Sequence, residues 1–220
     1  MKLVKGMKTM RKSVIFDLDG TLWDATGQVF KIWNRVFERH PDLTIRLTQH
    51  DMEQHMGKTM EEIGAALFPK LNKSAQTSVM DECGREEVLY LREHGAALYD
   101  GARETIALLK REYDLYIVSN CQDGYVNSFL TAHRFEDDFK DIEMSGRTGM
   151  GKGENIRLLM ERNGVARAVY VGDTQGDESA ARFAGIPFIH AAYGFGQAVR
   201  PDGIIHSIRE LPEMLRILCL

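Results

Sequence analysis

The sequence predicts an α/β protein, a doubly wound parallel sheet with an all-helical segment inserted into it. Short, near-continuous apolar segments recur along the chain, as strands buried on both faces require. Amphipathic helical patterns lie between them, the alternation that a parallel sheet demands. One stretch, residues 24–98, breaks the alternation and carries helical patterns without a strong strand signal.

In chain order, five basic residues come first: Lys2, Lys5, Lys8, Arg11 and Lys12. A secretory signal would continue with ~7–15 apolar residues. Here Val14-Ile15-Phe16 stops at Asp17, so the expectation is a solvated basic tail. Residues 13–18 read as the first strand, closed by Asp19-Gly20-Thr21. Within 24–98, Phe30, Trp33, Val36 and Phe37 make one helical face at spacings of three and four. Met60, Ile63 and Leu67 make a second, and a third helix runs over about residues 74–93. Helical patterns follow at 102–112 (Ile106, Leu108, Leu109), 152–163 (Ile156, Leu158, Leu159, Met160) and 175–184 (Ala180, Ala181, Phe183), the last stopped by Gly185. The strands between them are 115–119, 168–172 and 186–190, with a weaker one at 141–145. The expected division is a core of 1–23 and 99–220 and a helical unit of 24–98. Its hinges fall at Trp23-Asp24 and Tyr99-Asp100-Gly101.

Composition bounds the partners. With 220 residues, 44% hydrophobic and 27% charged, the chain can bury a full core without staples and is not of the disordered class. A net charge of −4 gives no long-range attraction to nucleic acid. No apolar run approaches the ~18 residues of a membrane span. Three scattered cysteines, Cys83, Cys121 and Cys219, suit neither a disulfide framework nor a zinc site and fit a reducing compartment. The expected location is cytoplasmic, with no nucleic-acid or membrane partner.

Parallel sheets bind ligands beyond the carboxyl ends of their strands. Asp17 and Asp19 end the first strand, Ser119-Asn120 another, and Gly172-Asp173 a third, followed by Asp177. Lys152 opens a helix after a glycine-rich loop. Carboxylates brought this close repel one another unless a cation lies between them. Oxygen ligands without His or Cys suit magnesium. A carboxylate beside such an ion can attack phosphorus and form an aspartyl phosphate. A second carboxylate two residues on can protonate the leaving oxygen and then take a proton from water. Strand alternation would set Asp17 and Asp19 on one side. Gly20 permits a turn that aims N–H groups at phosphoryl oxygens. Ser119 can add a hydrogen bond and Lys152 a full charge.

Taken singly, these residues have ordinary readings. Asp-x-Asp before Gly is a turn, and Ser119 could cap a helix. Lys152 could be a surface lysine, although a helix start is unfavourable for a cation. Two acidic strand ends in one chain outweigh those readings. Gly146-Arg-Thr-Gly-Met-Gly151-Lys152 imitates a nucleotide-binding phosphate loop, but Gly153 stands where Ser or Thr should hold magnesium.

Asp17-Leu-Asp-Gly-Thr-Leu22, Leu115-Tyr-Ile-Val-Ser-Asn120, Lys152 and Gly172-Asp-Thr-Gln-Gly-Asp177 resemble, in order and spacing, the four motifs of the haloacid dehalogenase-like superfamily. The helical segment resembles the small cap of its phosphoglycolate phosphatase-like branch. The resemblance implies a Rossmann-like core with a cap, and a magnesium-dependent phosphatase of a small phosphorylated metabolite. It makes Asp17 the nucleophile and a metal ligand. Asp19 becomes the general acid/base and a metal ligand through its carbonyl, and Asp173 a metal ligand. Ser119, Asn120, Lys152 and the Gly20-Thr21 turn would hold the phosphoryl group. Asp177 would orient Lys152 or a metal-bound water. Asp19 argues for phosphate esters, because dehalogenation needs no proton delivered to an alcohol. Many relatives carry Lys-Pro where this chain has Lys152-Gly153. The cap loop His55-Met-Gly57-Lys58 would face the site, with Lys58 meeting a substrate carboxylate or second phosphate. A sugar phosphomutase of the β-phosphoglucomutase type would use the same aspartates. A receiver-like signalling module would share the acidic rim, but the long insertion and Asp19 speak against it.

Overall fold

The structure, a computed structural model, describes residues 12–219. The predicted basic tail lies outside the described residues except for Lys12. In chain order the elements are β1 (Lys12–Phe16), β2 (Trp23–Asp24), α1 (Thr26–Phe37), α2 (Gln49–Glu53), α3 (Met60–Leu67), α4 (Lys73–His94), β3 (Ala97–Leu98), α5 (Ala102–Leu109) and β4 (Tyr113–Ser119). They continue as α6 (Tyr125–His133), β5 (Asp141–Met144), α7 (Ser145–Thr148), α8 (Lys152–Asn163), β6 (Ala168–Gly172), α9 (Gln175–Ala184), β7 (Phe188–Ala191), β8 (Gly203–Ile205) and α10 (Leu211–Ile217).

Six strands form one parallel sheet in the order β5-β4-β1-β6-β7-β8. The doubly wound α/β class is therefore the observed one. β1 lies between β4 and β6, with Phe16 opposite both Ile117 and Val171. The chain steps from β1 out to β4 and β5, then returns past β1 to β6, β7 and β8. Such a reversal opens a crevice at the carboxyl ends of the strands beside it. Near-continuous apolar strands follow from burial on both faces. Val14, Phe16, Ile117 and Val171 meet Ile106, Phe129 and Leu215 of α5, α6 and α10. Ile15, Tyr116, Val118 and Tyr170 meet Ile156, Leu159, Ala180 and Ala181 of α8 and α9.

Four helices occupy the chain between β2 and β3. α1 buries Val29, Trp33, Val36 and Phe37, and α4 packs against both α1 and α6. Thr59 caps α3 by accepting from Glu62 N, and Asn72 caps α4 by accepting from Ala75 N. Among the described residues no helix is long and apolar enough to cross a membrane.

The structure departs from the sequence expectation in three ways. The range read as all-helical begins and ends on an antiparallel pairing, Trp23 with Leu98 and Asp24 with Ala97; two-residue strands are too short to show a period. The first strand ends at Phe16, not at residue 18. Leu18 O accepts from the N–H groups of Thr21, Leu22 and Trp23, which winds 17–22 into a turn. Finally, α6, β8 and α10 were not anticipated. β8 is three residues long, and α6 (Tyr-Val-Asn-Ser-Phe-Leu-Thr-Ala-His) is rich in residues of weak helical preference.

Candidate active site

The turn after β1 is built around its neighbours. Asp17 is 1% exposed, and its N–H donates to Val171 O at 2.8 Å, which ties the turn to β6. Gly20 has φ +77°, and any Cβ there would collide with the Asp173 carboxylate. Gly194, after β7, is equally confined: a side chain would strike Gly20 O and Asp173 Cβ. Phe195 N and Gly196 N donate to Asp173 Oδ2 at 2.7 and 3.3 Å. Thus the loops after β1, β6 and β7 hold one another. The segment Tyr193-Gly-Phe-Gly196 was missed in the sequence, although a Gly-x-Gly directly after an apolar strand is a usable signal.

Lys152, the first residue of α8, is buried between two acids. Its Nζ lies 2.5 Å from Asp177 Oδ1 and 3.0 Å from Asp17 Oδ1. Asp177 is held by the start of α9, where its Oδ2 accepts from Thr174 N at 2.9 Å and Thr174 Oγ1 at 2.6 Å. Its orientation is therefore set by a capping box. Burial alone would lower the lysine pKa, but Asp17 and Asp177 raise it above the ordinary value, so Lys152 stays charged. The glycine that follows Lys152 also has a cause. A Cβ on Gly153 would come 2.8 Å from the Phe183 ring, so α8 and α9 pack too closely for a proline there.

Asp17, Asp173 and Asp177 each offer a carboxylate oxygen, and these oxygens lie within 4.8 Å of one another. One lysine does not balance three acids. Burial, then Asp177, raise Asp17 to about 6 against the opposing pull of Lys152. Burial, Asp177 and Asp17 push Asp173 well above its ordinary value. Asp17 Oδ1 is buried without an aligned hydrogen bond. An oxygen-only, electron-rich and under-compensated cluster fits a hard divalent cation. Asp17 and Asp173 could ligate it directly, since Asp177 is committed to Lys152 and Thr174.

Asp19 points elsewhere. Tyr125 Oη, at the start of α6, donates to Asp19 Oδ1 at 2.8 Å. Burial raises Asp19 to about 7, with the Tyr125 bond pulling it down and Asp17 pushing it up. Asp17, Asp19 and Ser119 border a narrow cavity of about 40 Å³, whose opposite wall carries His55, Gly57, Lys58 and Glu87. Asn120 also borders it and ties the walls together: Asn120 Nδ2 donates to Gly57 O at 2.8 Å, and Ser145 Oγ donates to Asn120 Oδ1 at 3.0 Å. Lys58 is exposed at the mouth, its Nζ 3.5 Å from His55 Nδ1. Thr21 is fully buried beneath the turn, its Oγ1 without a hydrogen-bond partner. Among the residues around the cavity, sequence reasoning missed Tyr125 and Glu87. Neither stands at a strand end, and each reaches the site only through helix packing.

The chain matches known proteins over most of its length. Residues 14–191 match the family model for haloacid dehalogenase-like hydrolases. A phosphoglycolate phosphatase of Rhodospirillum rubrum is 24% identical over 200 residues, covering 86% of this chain and 82% of the relative. Another, from Nitrosococcus oceani, is 26% identical, covering 92% of this chain and 95% of the relative. The crystal structure of a haloacid dehalogenase-like family hydrolase from Streptococcus pneumoniae superposes with a TM-score of 0.79 at 21% identity, over 95% of this chain and 100% of that one.

Proposed function

The chain belongs to the haloacid dehalogenase-like hydrolase family, and on that premise we propose that it is a magnesium-dependent phosphatase of a small phosphorylated metabolite. One arrangement carries this reading: Asp17, backed by Lys152 and Asp173, borders the same cavity as Asp19, which is held in place by Tyr125. The names of the curated relatives support a small phosphate ester as substrate.

In the proposed reaction a carboxylate oxygen of Asp17 attacks phosphorus. The bond from phosphorus to the leaving oxygen breaks, and Asp19 delivers its proton to that oxygen. Asp19, now ionised, takes a proton from a water that attacks the aspartyl phosphate. The bond from phosphorus to Asp17 breaks, which frees phosphate and restores both carboxyl groups. Lys152 and Ser119 hold the phosphoryl oxygens while charge moves through them. Asp17, Asp173 and the Asp19 carbonyl would hold magnesium, which when bound supplies positive charge beside the phosphoryl group. Residues 24–98 would act as the cap. It would swing outward to admit the ester and close to exclude water.

The test is a panel of phosphate esters assayed with magnesium and with chelator. Metal-dependent phosphate release is expected from at least one ester, and Asp17→Asn should abolish it while the fold is kept. Release from no ester, or full activity in Asp17→Asn, overturns the reading. Conversion of a hexose 1-phosphate to its 6-phosphate without free phosphate would mark a mutase instead.

A further inference from the structure

Among the cavity groups that the hydrolysis described above leaves unused is a buried carboxyl. Glu87, on α4, is 4% exposed and borders the cavity shared by Asp17, Asp19 and Ser119. Two donors converge on one of its oxygens: Trp33 Nε1 and Gln122 Nε2 reach Oε2 at 3.0 and 3.1 Å. Oε1 takes no hydrogen bond from a described residue, yet it is not among the sealed, unpartnered polar atoms. It therefore faces the cavity. The two donors fix the carboxyl plane, so Oε1 is presented in one direction.

A buried carboxyl costs stability, and its free oxygen calls for a partner. The choice of partner follows from charge. Burial raises Glu87 to about 8, with Asp19 adding to the rise and the Trp33 and Gln122 bonds opposing it. A hydroxyl suits the carboxyl in either form: it donates to the ionised oxygen and accepts from the protonated one. A substrate carboxylate would bring a further negative charge towards the cluster of Asp17, Asp173 and Asp177, which Lys152 alone does not balance, whereas a hydroxyl brings none. The cation nearest the mouth, Lys58, is exposed and paired with His55.

Resting on the phosphatase reading, we propose that Glu87 recognises a hydroxyl on the leaving group, so that this chain prefers phosphate monoesters of polyols or sugars over those of hydroxy acids. Glu87 is thus a specificity residue on the helical wall of the site.

The test reads a selectivity ratio: kcat/KM for glycerol 3-phosphate divided by kcat/KM for phosphoglycolate, with magnesium present. The wild-type ratio should exceed one. Glu87→Ala should lower the ratio about tenfold, the loss of one hydrogen bond to a charged or polar group. Glu87→Gln, which keeps the shape and the Trp33 contact and still offers a hydrogen-bonding atom to the cavity, should lower it less. Because the readout is a ratio, a uniform loss from a damaged fold does not move it. A wild-type ratio below one, or a ratio that neither variant changes, overturns the proposal. Wild-type protein that releases phosphate from neither ester nor from p-nitrophenyl phosphate fails the phosphatase reading itself, and this proposal with it.

Discussion

Tyr125 Oη donates a 2.8 Å hydrogen bond to Asp19 Oδ1, joining residues 106 positions apart. Both side chains sit at the cavity, and Tyr125 is anchored by an edge-on contact with Trp23, ring centroids 5.5 Å apart. The bond fixes where Asp19, the proposed leaving-group acid, stands relative to Asp17.

Tyr125→Phe should therefore lower kcat/KM for alkyl phosphates by about tenfold. The loss should be much smaller for p-nitrophenyl phosphate, whose leaving group needs little protonation. Kinetics on the two ester types with one enzyme preparation checks this. Equal loss on both would assign Tyr125 to packing alone.

The pH profile follows from the same carboxyl. Burial holds Asp19 near 7, so its proton persists close to neutrality. In the proposed role Asp19 must be protonated to serve the leaving oxygen, so kcat/KM for an alkyl ester should fall as pH rises through about that value. The Tyr125 bond stabilises the ionised form. Removing it in Tyr125→Phe should move the alkaline limb to higher pH. A limb that stays in place, or moves down, contradicts this assignment.

Magnesium should stabilise the fold through the acidic cluster. With the ion at a hundredfold excess over its Kd, linkage adds about 2.7 kcal/mol, a rise in Tm of about 5–10 °C for a chain of this size. Asp173→Asn should lose most of that rise. In chelator the same variant should melt no lower than wild type, because a buried acid repelled by Asp17 and Asp177 has been removed. Thermal denaturation of both proteins with and without the ion decides it.

Gly194→Ala should be as damaging as a change at a catalytic acid. The added methyl meets the Gly20 carbonyl and the Asp173 side chain, neither of which can move without disturbing the turn after β1. Activity should fall by at least about tenfold, and stability by about 1–3 kcal/mol, the usual cost of overpacking. Activity assays and denaturant melts test this. An alanine variant with wild-type activity would mean that the loops after β1 and β7 are not coupled.

Much of the site was legible because it lies where strands end. Asp17, Ser119 and Asp173 each follow or close an apolar run, and parallel strands bring such ends together whatever the intervening chain does. Lys152 was legible by its placement at a helix start, and Asp177 by its spacing from Asp173. Tyr125 and Glu87 were not legible. Each sits in a helix where neighbours three or four positions away give no hint of a site, and each faces the cavity because α4 packs on α6. The Gly-x-Gly at Gly194 is a visible pattern, but the contacts with Gly20 and Asp173 that constrain it are tertiary.

The sequence by itself determined the sheet, its helical coverings and the acids at its rim, because strand periodicity and strand ends are local properties of the chain. Only the tertiary structure decided which acid faces which partner. Lys152 stands between Asp17 and Asp177, Asp19 turns to Tyr125, and Glu87 comes down from the opposite wall. Those relationships join residues far apart in sequence, and they depend on the angle at which packed helices meet, which no local pattern encodes.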